Sequence, residues 1–272
     1  MGVSRGHRAR GNPAAPKLFG LMPLPPNLNA LILAAGRGQR MRPLTDRVPK
    51  PLLPVHGKPM IEWHLLALAA AGVRQVVINT AWLEDQFPAA LGDGSRWGLT
   101  IRYSMEGRDH GGALETAGGI AKALPLLGET FWLVSGDIVA RGFGFDAAAA
   151  QRFTAGSDEG HLWLVPNPDF HATGDFALAG DRVQRPPENA ARPLTYANLA
   201  LLRRSLLAPV LPGSVAALGP LLFGSAAAGR LGGTLWQGDW HNLGTPAQLA
   251  ALQATGSGPA CPAALPAPAS AA

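Results

Sequence analysis

Leu33-Ala-Ala-Gly-Arg-Gly-Gln-Arg-Met-Arg-Pro-Leu-Thr45 begins inside an apolar run, 29–35, that predicts a β-strand, and continues into a turn rich in glycine and arginine. Glycine lets backbone amides approach phosphate oxygens closely, whereas larger side chains would hold them apart. The turn lacks the third glycine of a dinucleotide-binding fingerprint, because Met41 stands there, and it lacks the Gly-Lys-Ser/Thr of a P-loop. A strand with such a turn predicts an α/β fold that binds a phosphorylated ligand at the carboxyl edge of its sheet.

Beyond this turn, short apolar runs alternate with helical patterns, which is typical of a largely parallel sheet covered by helices. The predicted strands are 29–35, 75–80, 100–104, 131–135, 161–165, 176–178, 194–202 and 234–240. The predicted helices are 59–71, 83–91, 115–127, 215–228 and 246–252. We therefore expect an α/β fold with a Rossmann-like mixed, mainly parallel sheet and helices on both faces.

Composition predicts one globular domain between two tails. The 272 residues are 47% apolar and 15% charged, and no apolar run reaches the ~18 residues of a membrane span, so we expect a soluble, cytoplasmic protein. Residues 1–28 are rich in Gly, Pro and Arg, and residues 256–272 in Gly, Pro, Ala and Ser, which predicts disordered tails around a single domain at 29–255. The acid-free start could also be a transit peptide, or could precede a start codon at Met22.

The formal net charge of +5 does not predict nucleic-acid binding. Four of the 23 basic residues lie in the first 20 positions, which hold no acid, so the rest of the chain is close to neutral. Binding to a phosphate backbone needs basic side chains clustered on the folded domain. The single cysteine, Cys261, cannot form an intramolecular disulfide, so nothing in the sequence requires an oxidising compartment.

Cations and a carboxylate stand where phosphates and a metal ion would bind. The glycine-rich turn and the Pro-Lys-Pro motif after it carry Arg37, Arg40, Arg42 and Lys50. Such a density of positive charge suits a triphosphate. The run Phe131-Trp-Leu-Val-Ser-Gly-Asp137 predicts a buried strand that places Asp137 at the ligand edge of the sheet. A carboxylate there suits Mg²⁺, which takes a few protein oxygens and completes its shell with water and phosphate.

The turn, together with Pro49-Lys50-Pro51, resembles the signature of the sugar-1-phosphate nucleotidyltransferases, Leu-x-Gly/Ala-Gly-x-Gly-x-Arg-hydrophobic-x-Pro-Leu-Thr with a later Pro-Lys-Pro. The match spans about twenty positions without a gap. This resemblance implies a nucleotide-diphospho-sugar transferase fold. It also implies a Mg²⁺-dependent reaction in which a nucleoside triphosphate and a sugar 1-phosphate give a nucleotide-sugar and pyrophosphate.

The resemblance assigns roles to the matching positions of the turn. In the family, the glycine-rich turn holds the base and phosphates of the nucleotide. The matching positions here are Ala34, Ala35, Gly36 and Gly38. Arg40 matches the arginine that clamps the triphosphate, and Lys50 matches the lysine that holds phosphate oxygens at the reacting centre. With Asp137 as a metal ligand, these two cations complete the predicted catalytic set.

A second motif, Leu114-Glu-Thr-Ala-Gly-Gly-Ile120, resembles the family's base-recognition segment. In the family this loop and a polar residue before it contact the base edge, which here makes Glu106, Leu114 and Glu115 candidate base contacts. Glu115 has an alternative role as an acidic residue at a helix N-terminus, where the helix dipole favours negative charge.

The segment Gly238-Asp-Trp-His-Asn-Leu-Gly-Thr-Pro246 resembles the family's Trp-x-Asp-x-Gly-Thr motif, whose aspartate is the second metal ligand. Asn242 stands at that position, and its amide oxygen can bind Mg²⁺ but brings no charge. Asp239, three residues earlier, is the alternative ligand.

Within the family, the chain most resembles the short bacterial N-acetylmuramate α-1-phosphate uridylyltransferases of cell-wall recycling, through Ala71-Gly-Val-Arg-Gln-Val-Val-Ile-Asn79 and Gly174-Asp-Phe176 among other segments. This implies UTP as the nucleotide and predicts Asp175 and Asn198 as sugar contacts. Asn198 stands where that group would have glycine. The alternatives are a mannose-1-phosphate guanylyltransferase, a non-catalytic nucleotide-sugar-binding relative and a Rossmann oxidoreductase, although the third glycine of the last is missing. A monomer or a small homo-oligomer is expected.

Overall fold

The structure is a computed structural model that describes residues 24–25, 28–186 and 193–255. The strands of this part are β1 (Asn29–Leu33), β2 (Pro54–Val55), β3 (Lys58–Pro59), β4 (Gln75–Thr80), β5 (Thr100–Met105), β6 (Thr130–Ser135), β7 (Ile138–Arg141), β8 (Gly160–Val165), β9 (Ala177–Ala179), β10 (Arg182–Gln184), β11 (Thr195–Arg203), β12 (Leu231–Leu235) and β13 (Asp239–Asn242). Its α-helices are α1 (Met60–Ala70), α2 (Gln86–Leu91), α3 (Glu106–His110), α4 (Glu115–Ala123), α5 (Ala147–Ala155), α6 (Gly219–Ala227) and α7 (Pro246–Ala254).

Nine strands form one sheet in the order β5-β4-β1-β6-β11-β8-β12-β10-β9. The pairs β5/β4, β4/β1, β1/β6 and β8/β12 are parallel, whereas β11 and β10 run against both of their neighbours. The chain leaves β1 toward β4 and returns on the other side of β1 with β6. Ligands of open α/β sheets bind at such a reversal of strand order, beyond the carboxyl ends of the strands. The predicted mixed, mainly parallel sheet is therefore confirmed, and its binding crevice is expected at the ends of β1 and β6.

The core lies on both faces of the sheet, as β1 shows. Ala30 and Ile32 are fully buried on one face with the apolar residues of α1. Leu31, also fully buried, points to the other face, where it joins Ala117 and Ile120 of α4. Side chains alternate between the two faces of a strand, so a strand with buried apolar side chains on both faces must be covered on both sides. This confirms helices on both faces.

A smaller third cluster holds the glycine-rich turn in place. Met41, fully buried, packs with Val139 of β7 and with Leu249 and Leu252 of α7. The residue that excludes a dinucleotide fingerprint is therefore the apolar anchor of the turn. Thr245 caps α7 through a capping box with Gln248, which fixes where this C-terminal helix begins.

Several predicted elements differ in their bounds, among them the helices 83–91 and 115–127, which are α2 and α4, and two further cases have a visible cause. The predicted strand 234–240 is two strands, because β12 belongs to the main sheet while β13 pairs only with β7. β12 contains Gly232 and Gly233, where apolar side chains would otherwise have indicated a strand. A Cβ at Gly233 would lie 2.5 Å from Val183 Cγ2 of the neighbouring strand β10, so the close packing of β10 favours glycine there. The predicted helix 215–228 begins only at Gly219, because Ala216 instead bonds through its backbone to Leu114 and Ala117.

The N-terminal boundary also differs from the prediction of a tail at 1–28. Leu28 is buried and Leu24 packs against the core, so contact with the core begins before Asn29. The other residues of the predicted N-terminal tail, and the predicted tail 256–272, lie outside the described residues. Within the described part, no helix combines the length and the apolar character needed to span a membrane.

Candidate active site

A cavity of about 680 Å³, here called the main cleft, opens at the carboxyl ends of β1 and β6. Its lining residues are Leu33, Ala34, Ala35, Gly36, Arg37, Gly38, Gln39, Arg40, Lys50, Pro51, Asn79, Ala113, Glu115, Thr116, Ser135, Asp137 and Gly244. The four predicted contacts of the glycine-rich turn are all among them, as are the three predicted catalytic residues. The cleft lies where the strand order reverses, which is the position that the fold favours for a ligand.

The turn is shaped by Gly38, whose φ of +64° lies in the left-handed region that favours glycine. A Cβ at this position would lie 3.0 Å from Thr45 Cγ2 and 3.2 Å from Lys50 Cβ. Thr45 Oγ1 donates a hydrogen bond of 2.8 Å to the Gly38 carbonyl. Gly38 therefore allows the turn to close against the Pro-Lys-Pro segment, which brings Lys50 into the cleft.

Asp137 and Lys50 form an ion pair in the main cleft. Lys50 Nζ donates to Asp137 Oδ2 at 2.7 Å, and the side chains of Lys50 and Asp137 are 8% and 39% exposed. Gly136 brings the aspartate close to the turn, because its N–H donates to the Leu33 carbonyl at 2.8 Å and a Cβ there would lie 2.9 Å from that oxygen. The structure thus places a buried cation and a more accessible carboxylate side by side beneath the glycine-rich turn.

The other three cations of the motif differ in position. Arg40 is exposed, lines the main cleft and packs against Gly244, where a Cβ would lie 3.2 Å from its Nη1. Arg37 also lines the cleft and stacks on the ring of Trp82 at 4.3 Å. Arg42 is absent from the cleft lining and pairs with Asp46 at 2.8 Å. Positive charge in the cleft therefore comes from Arg37, Arg40 and Lys50.

Glu106 and Leu114, two of the predicted base contacts, do not line the cleft. Glu106 is fully buried, and its Oε2 accepts a hydrogen bond of 2.7 Å from the Leu114 N–H. Burial raises the pKa of the Glu106 carboxyl, although hydrogen bonds from Leu114 and Asn79 and the charges of Lys122 and His110 oppose this. Because each is bonded to the other and lies outside the cleft lining, the structure gives no support to the predicted direct contact of Glu106 or the Leu114 amide with a base, which stays a prediction.

Glu115, the third predicted base contact, does line the cleft together with Ala113 and Thr116. Its φ of +60° is unusual for a residue with a side chain, and it marks the point where the loop enters α4. The loop 113–116 thus faces the glycine-rich turn across the cleft.

Asn79 is a lining residue that the sequence analysis missed. It is the residue before the last of β4, the strand next to β1. Its Oδ1 accepts a hydrogen bond of 2.8 Å from the Ala34 N–H, and its Nδ2 donates to Glu106 Oε1 at 2.6 Å. Its position in the sequence could have identified it as a candidate site residue, since a polar residue near the carboxyl end of a predicted central strand lies at the ligand edge of the sheet.

A second cavity of about 500 Å³, here called the side pocket, adjoins the main cleft. The two share the lining residues Leu33, Arg40, Thr116 and Ser135. The predicted sugar contacts Asp175 and Asn198 both line the side pocket, and so does Asn242. An apolar wall of Leu218, Leu222 and Phe223 faces these polar side chains. Arg40 thus stands where two cavities of different chemistry meet.

Asp175 and Asn198 have distinct surroundings. Asp175 Oδ2 accepts a hydrogen bond of 2.8 Å from the Tyr196 N–H, and Oδ1 lies 3.0 Å from His171 Nε2, so the carboxylate is held on both sides. Asn198 has a φ of +59° and lies in a bulge of β11 between Tyr196 and Ala200. This left-handed conformation explains why glycine is expected there, and asparagine tolerates it better than most residues.

Asn242 has an unusual feature for an amide. Its Oδ1 is buried without a hydrogen-bond partner among the described residues. In the β13/β7 ribbon Asn242 pairs with Ile138, and the Leu243 N–H donates to the Asp137 carbonyl at 3.3 Å, so the backbone at Asn242 runs beside that at Asp137. A buried, unpartnered amide oxygen fits a cation ligand. Asn242 and Asp137 therefore suit a Mg²⁺ ion.

Asp239, the alternative ligand, is already engaged. One of its oxygens pairs with Arg141 Nε and the other lies 2.6 Å from His241 Nε2. It lies at the start of β13, opposite Arg141 and away from Asp137. The described residues contain no group of three or more His, Cys, Asp or Glu side chains that could hold a metal ion. An ion at Asp137 would therefore depend on the Asn242 amide and on ligand phosphates.

His64 contacts the backbone of β7, the strand that follows Asp137. It lies on α1, is 4% exposed, and its Nε2 is 2.9 Å from the Ile138 carbonyl oxygen. Desolvation by burial lowers the pKa of His64 to about 4, against the bond to Ile138 and the charge of Asp137, which both raise it. At neutral pH the ring is therefore uncharged and can donate to the residue that follows Asp137.

Comparisons with known proteins agree with this geometry. Residues 29–174 match the nucleotidyl transferase family. The chain is 46% identical over 231 residues to N-acetylmuramate α-1-phosphate uridylyltransferase of Neisseria meningitidis serogroup B, covering 84% of this chain and 97% of that protein. It is 36% identical over 231 residues to the protein of the same name from Caulobacter vibrioides, covering 82% of this chain and 94% of that protein.

Among solved structures, the chain resembles one from Bacillus anthracis that is described as a glucose-1-phosphate thymidylyltransferase in complex with sucrose. The TM-score is 0.71 at 20% identity, over 84% of this chain and 94% of the other. At that identity the likeness supports the fold alone.

Proposed function

The chain belongs to the nucleotidyl transferase family, and from that membership we propose that it transfers the uridylyl group of UTP to N-acetylmuramate α-1-phosphate. The products are the nucleotide-sugar and pyrophosphate. The coarser activity, nucleotidyl transfer to a sugar 1-phosphate, is common to the relatives of matching length. The choice of UTP and of N-acetylmuramate follows the names of those relatives.

The observation that carries the proposal is the junction of two cavities at Arg40. The main cleft has backbone from a glycine-rich turn and three cations, which suits a nucleoside triphosphate. The side pocket has Asp175, Asn198 and an apolar wall, which suits a sugar with both hydroxyl and acyl substituents. Two substrates that must meet at one phosphorus atom would do so at this junction, and Lys50 and Asp137 line the main cleft on one side of it.

The reaction needs charge stabilisation more than proton transfer. A sugar phosphate is already an anion at neutral pH, so its oxygen can attack the α-phosphorus without a general base, while the bond to the leaving pyrophosphate breaks. Lys50 is held rigidly by its burial and by Asp137, so its charge can oppose that of the reacting phosphates without reorganisation. Arg40 is exposed and can close on the triphosphate.

The proposal includes Mg²⁺ as cofactor, with Asp137 and Asn242 as the residues that would hold it. Such an ion supplies a Lewis acid that offsets the charge of the phosphates. Lys50 already neutralises part of the Asp137 charge, and the two side chains hold each other at the edge of the turn. A place in the cytoplasm and in the recycling of cell-wall sugars belongs to the same proposal.

Pyrophosphate release, measured for each nucleoside triphosphate with a panel of sugar 1-phosphates and Mg²⁺, tests this function. UTP with N-acetylmuramate α-1-phosphate should give the highest kcat/KM. A preference for GTP with mannose 1-phosphate would instead identify the guanylyltransferase alternative. No release with any pair would indicate a non-catalytic relative.

The same assay tests the assigned carboxylate. Asp137→Asn keeps the side-chain shape but removes the charge, and should lower kcat on the order of 10²-fold or more. Asp158→Asn is the matched control, because Asp158 forms an ion pair of 2.8 Å with Arg182 and lines neither cavity. Equal effects of the two substitutions would contradict a specific role for Asp137.

A further inference from the structure

We propose that Asn79 and Glu106 are positioning residues that tie the two walls of the main cleft together and so set the affinity for the nucleotide. Neither residue is assigned a direct contact with substrate. The inference rests on the proposed function only in taking the main cleft as the nucleotide site. One wall is the glycine-rich turn that begins at Ala34, and the other is the loop 113–116.

A continuous chain of three hydrogen bonds joins these walls. The Ala34 N–H donates to Asn79 Oδ1 at 2.8 Å, Asn79 Nδ2 donates to Glu106 Oε1 at 2.6 Å, and the Leu114 N–H donates to Glu106 Oε2 at 2.7 Å. All four residues are buried, with exposed fractions of 3% or less. Water therefore cannot substitute easily for a lost member, and a break at either side chain is expected to let the walls move.

The donor and acceptor pattern explains why these two side chains suit these positions. Glu106 faces two donors, the Leu114 amide and the Asn79 amide group, and an ionised carboxylate accepts from both. Asn79 must accept from Ala34 and donate to Glu106, which a primary amide can do and a carboxylate cannot. A glutamine at 106 would place its NH₂ group against one of the two donors.

Helix α4 closes the space around the pair. A Cβ at Gly119 would lie 2.4 Å from Glu106 Oε1 and 2.6 Å from Asn79 Nδ2, so the helix backbone packs directly on both side chains. The same helix begins at Glu115, which lines the cleft. The pair therefore also sets the depth at which the N-terminal end of α4 approaches the cleft.

The chain of hydrogen bonds affects nucleotide binding because it sets the distance between the two walls of the main cleft. Catalytic and binding geometry is sensitive to displacements of about 1 Å, which can cost roughly 10²-fold even when they originate away from the reacting atoms. The walls bracket the nucleotide, whereas the side pocket lies beyond Arg40. Loss of the chain should therefore weaken UTP binding and leave the KM for the sugar 1-phosphate nearly unchanged.

A reciprocal exchange tests the inference. Glu106→Gln places a donor against a donor, and Asn79→Asp places a carboxylate against a carboxylate. In the double variant Asn79→Asp/Glu106→Gln, the aspartate accepts from Ala34 and from the new amide, and the glutamine oxygen accepts from Leu114. This restores three hydrogen bonds and the original net charge. Asn29→Asp is the control, because Asn29 is a buried β1 asparagine that bonds to Leu126 and Gly128 at the opposite end of the strand.

The dissociation constant of UTP, measured by titration calorimetry, and the KM for both substrates are the readouts. Each single variant should weaken UTP binding about tenfold or more, and the double variant should return to within about threefold of wild type. Asn29→Asp should lower stability without changing the affinity for UTP. If a single variant does not fold, Asn79→Ser removes both side-chain bonds of Asn79 without adding a charge and serves for the same measurement.

The inference is overturned if the double variant binds UTP no better than the single variants. It is also overturned if the single variants lower stability as Asn29→Asp does but leave the UTP affinity unchanged, since the chain would then be structural only. Wild-type protein that binds no nucleotide would refute both the inference and the proposed function. Wild-type protein that binds UTP but releases no pyrophosphate would refute the proposed function and leave the binding test decisive for the inference.

Discussion

Replacing His64 by glutamine tests how the strand that follows Asp137 is held. His64 is 4% exposed, and its Nε2 lies 2.9 Å from the carbonyl oxygen of Ile138, the first residue of β7. Burial lowers the pKa of His64 from 6.5 to about 4 in the folded protein. The unfolded chain therefore takes up a proton at a higher pH than the folded chain does.

The sign of the effect follows from this difference. Well above pH 6.5 the ring is neutral in both states, and its contribution to stability is fully present. As the pH falls from about 6.5 to about 4, only the unfolded state binds the proton, so the free energy of unfolding declines. One pH unit of separation corresponds to about 1.4 kcal/mol. Between pH 7 and pH 5 the loss should be about 2 kcal/mol, and between pH 7 and pH 4 about 3 kcal/mol.

Urea unfolding of wild type and His64→Gln, in buffer without Mg²⁺ at pH 7, 6 and 5, measures this loss. Glutamine cannot titrate, and its Nε2 can donate to the Ile138 carbonyl as the imidazole does. Both proteins have the same carboxyl groups, so the contribution of these groups to the pH dependence cancels when the two free energies of unfolding are subtracted. The difference in free energy of unfolding between the two should shrink by about 2 kcal/mol from pH 7 to pH 5. Parallel pH curves would refute the reasoning, because they would mean that His64 is protonated at the same pH in both states.

Two further predictions concern the catalytic cleft. Arg40→Ala should lower kcat on the order of 10²-fold and raise the KM for UTP by less, because the arginine charge opposes charge that grows in the transition state. Steady-state kinetics measure both constants, and a change confined to KM would contradict this prediction. Asn242→Asp should lower the Mg²⁺ concentration for half-maximal activity, and Asn242→Ala should raise it. If only Asp239→Asn changes this concentration, Asp239 is the metal ligand instead. Initial rates measured against Mg²⁺ distinguish these outcomes.

The parts of the site that lie within a few residues of a strand end could be predicted from the sequence. Gly36, Gly38 and Asp137 all follow central parallel strands, and parallel strands bring their carboxyl ends to one edge whatever the intervening sequence is. Lys50 could be predicted only through the family signature, because its approach to Asp137 depends on the closure of the turn at Gly38 and Thr45.

The role of Glu106 could not be predicted, because the burial of a carboxylate is decided by partners that are distant in sequence. Glu106 meets Asn79, 27 residues earlier, and the backbone of Leu114, and only their donors make a buried charge tolerable. The helix α5 was missed for a different reason. Phe153 is the one large apolar residue among its nine, and its clearest indication is the Asp146 side chain, which caps the amides of Ala148 and Ala149.

The amide at position 242 has a consequence for how charge is balanced in the cleft. Asp137 already has a cationic partner in Lys50, whose side chain is 8% exposed. An aspartate at 242 would add a second carboxylate at a position whose oxygen is buried, and a buried charge without a partner is costly. With Asn242, the pair of Lys50 and Asp137 is balanced before any ligand binds, and the remaining charges of Arg37 and Arg40 attract the triphosphate. We therefore expect the metal ion to enter with the nucleotide phosphates, which supply the anionic oxygens that position 242 does not, and this is why Asn242→Asp should act on the Mg²⁺ requirement more than on kcat.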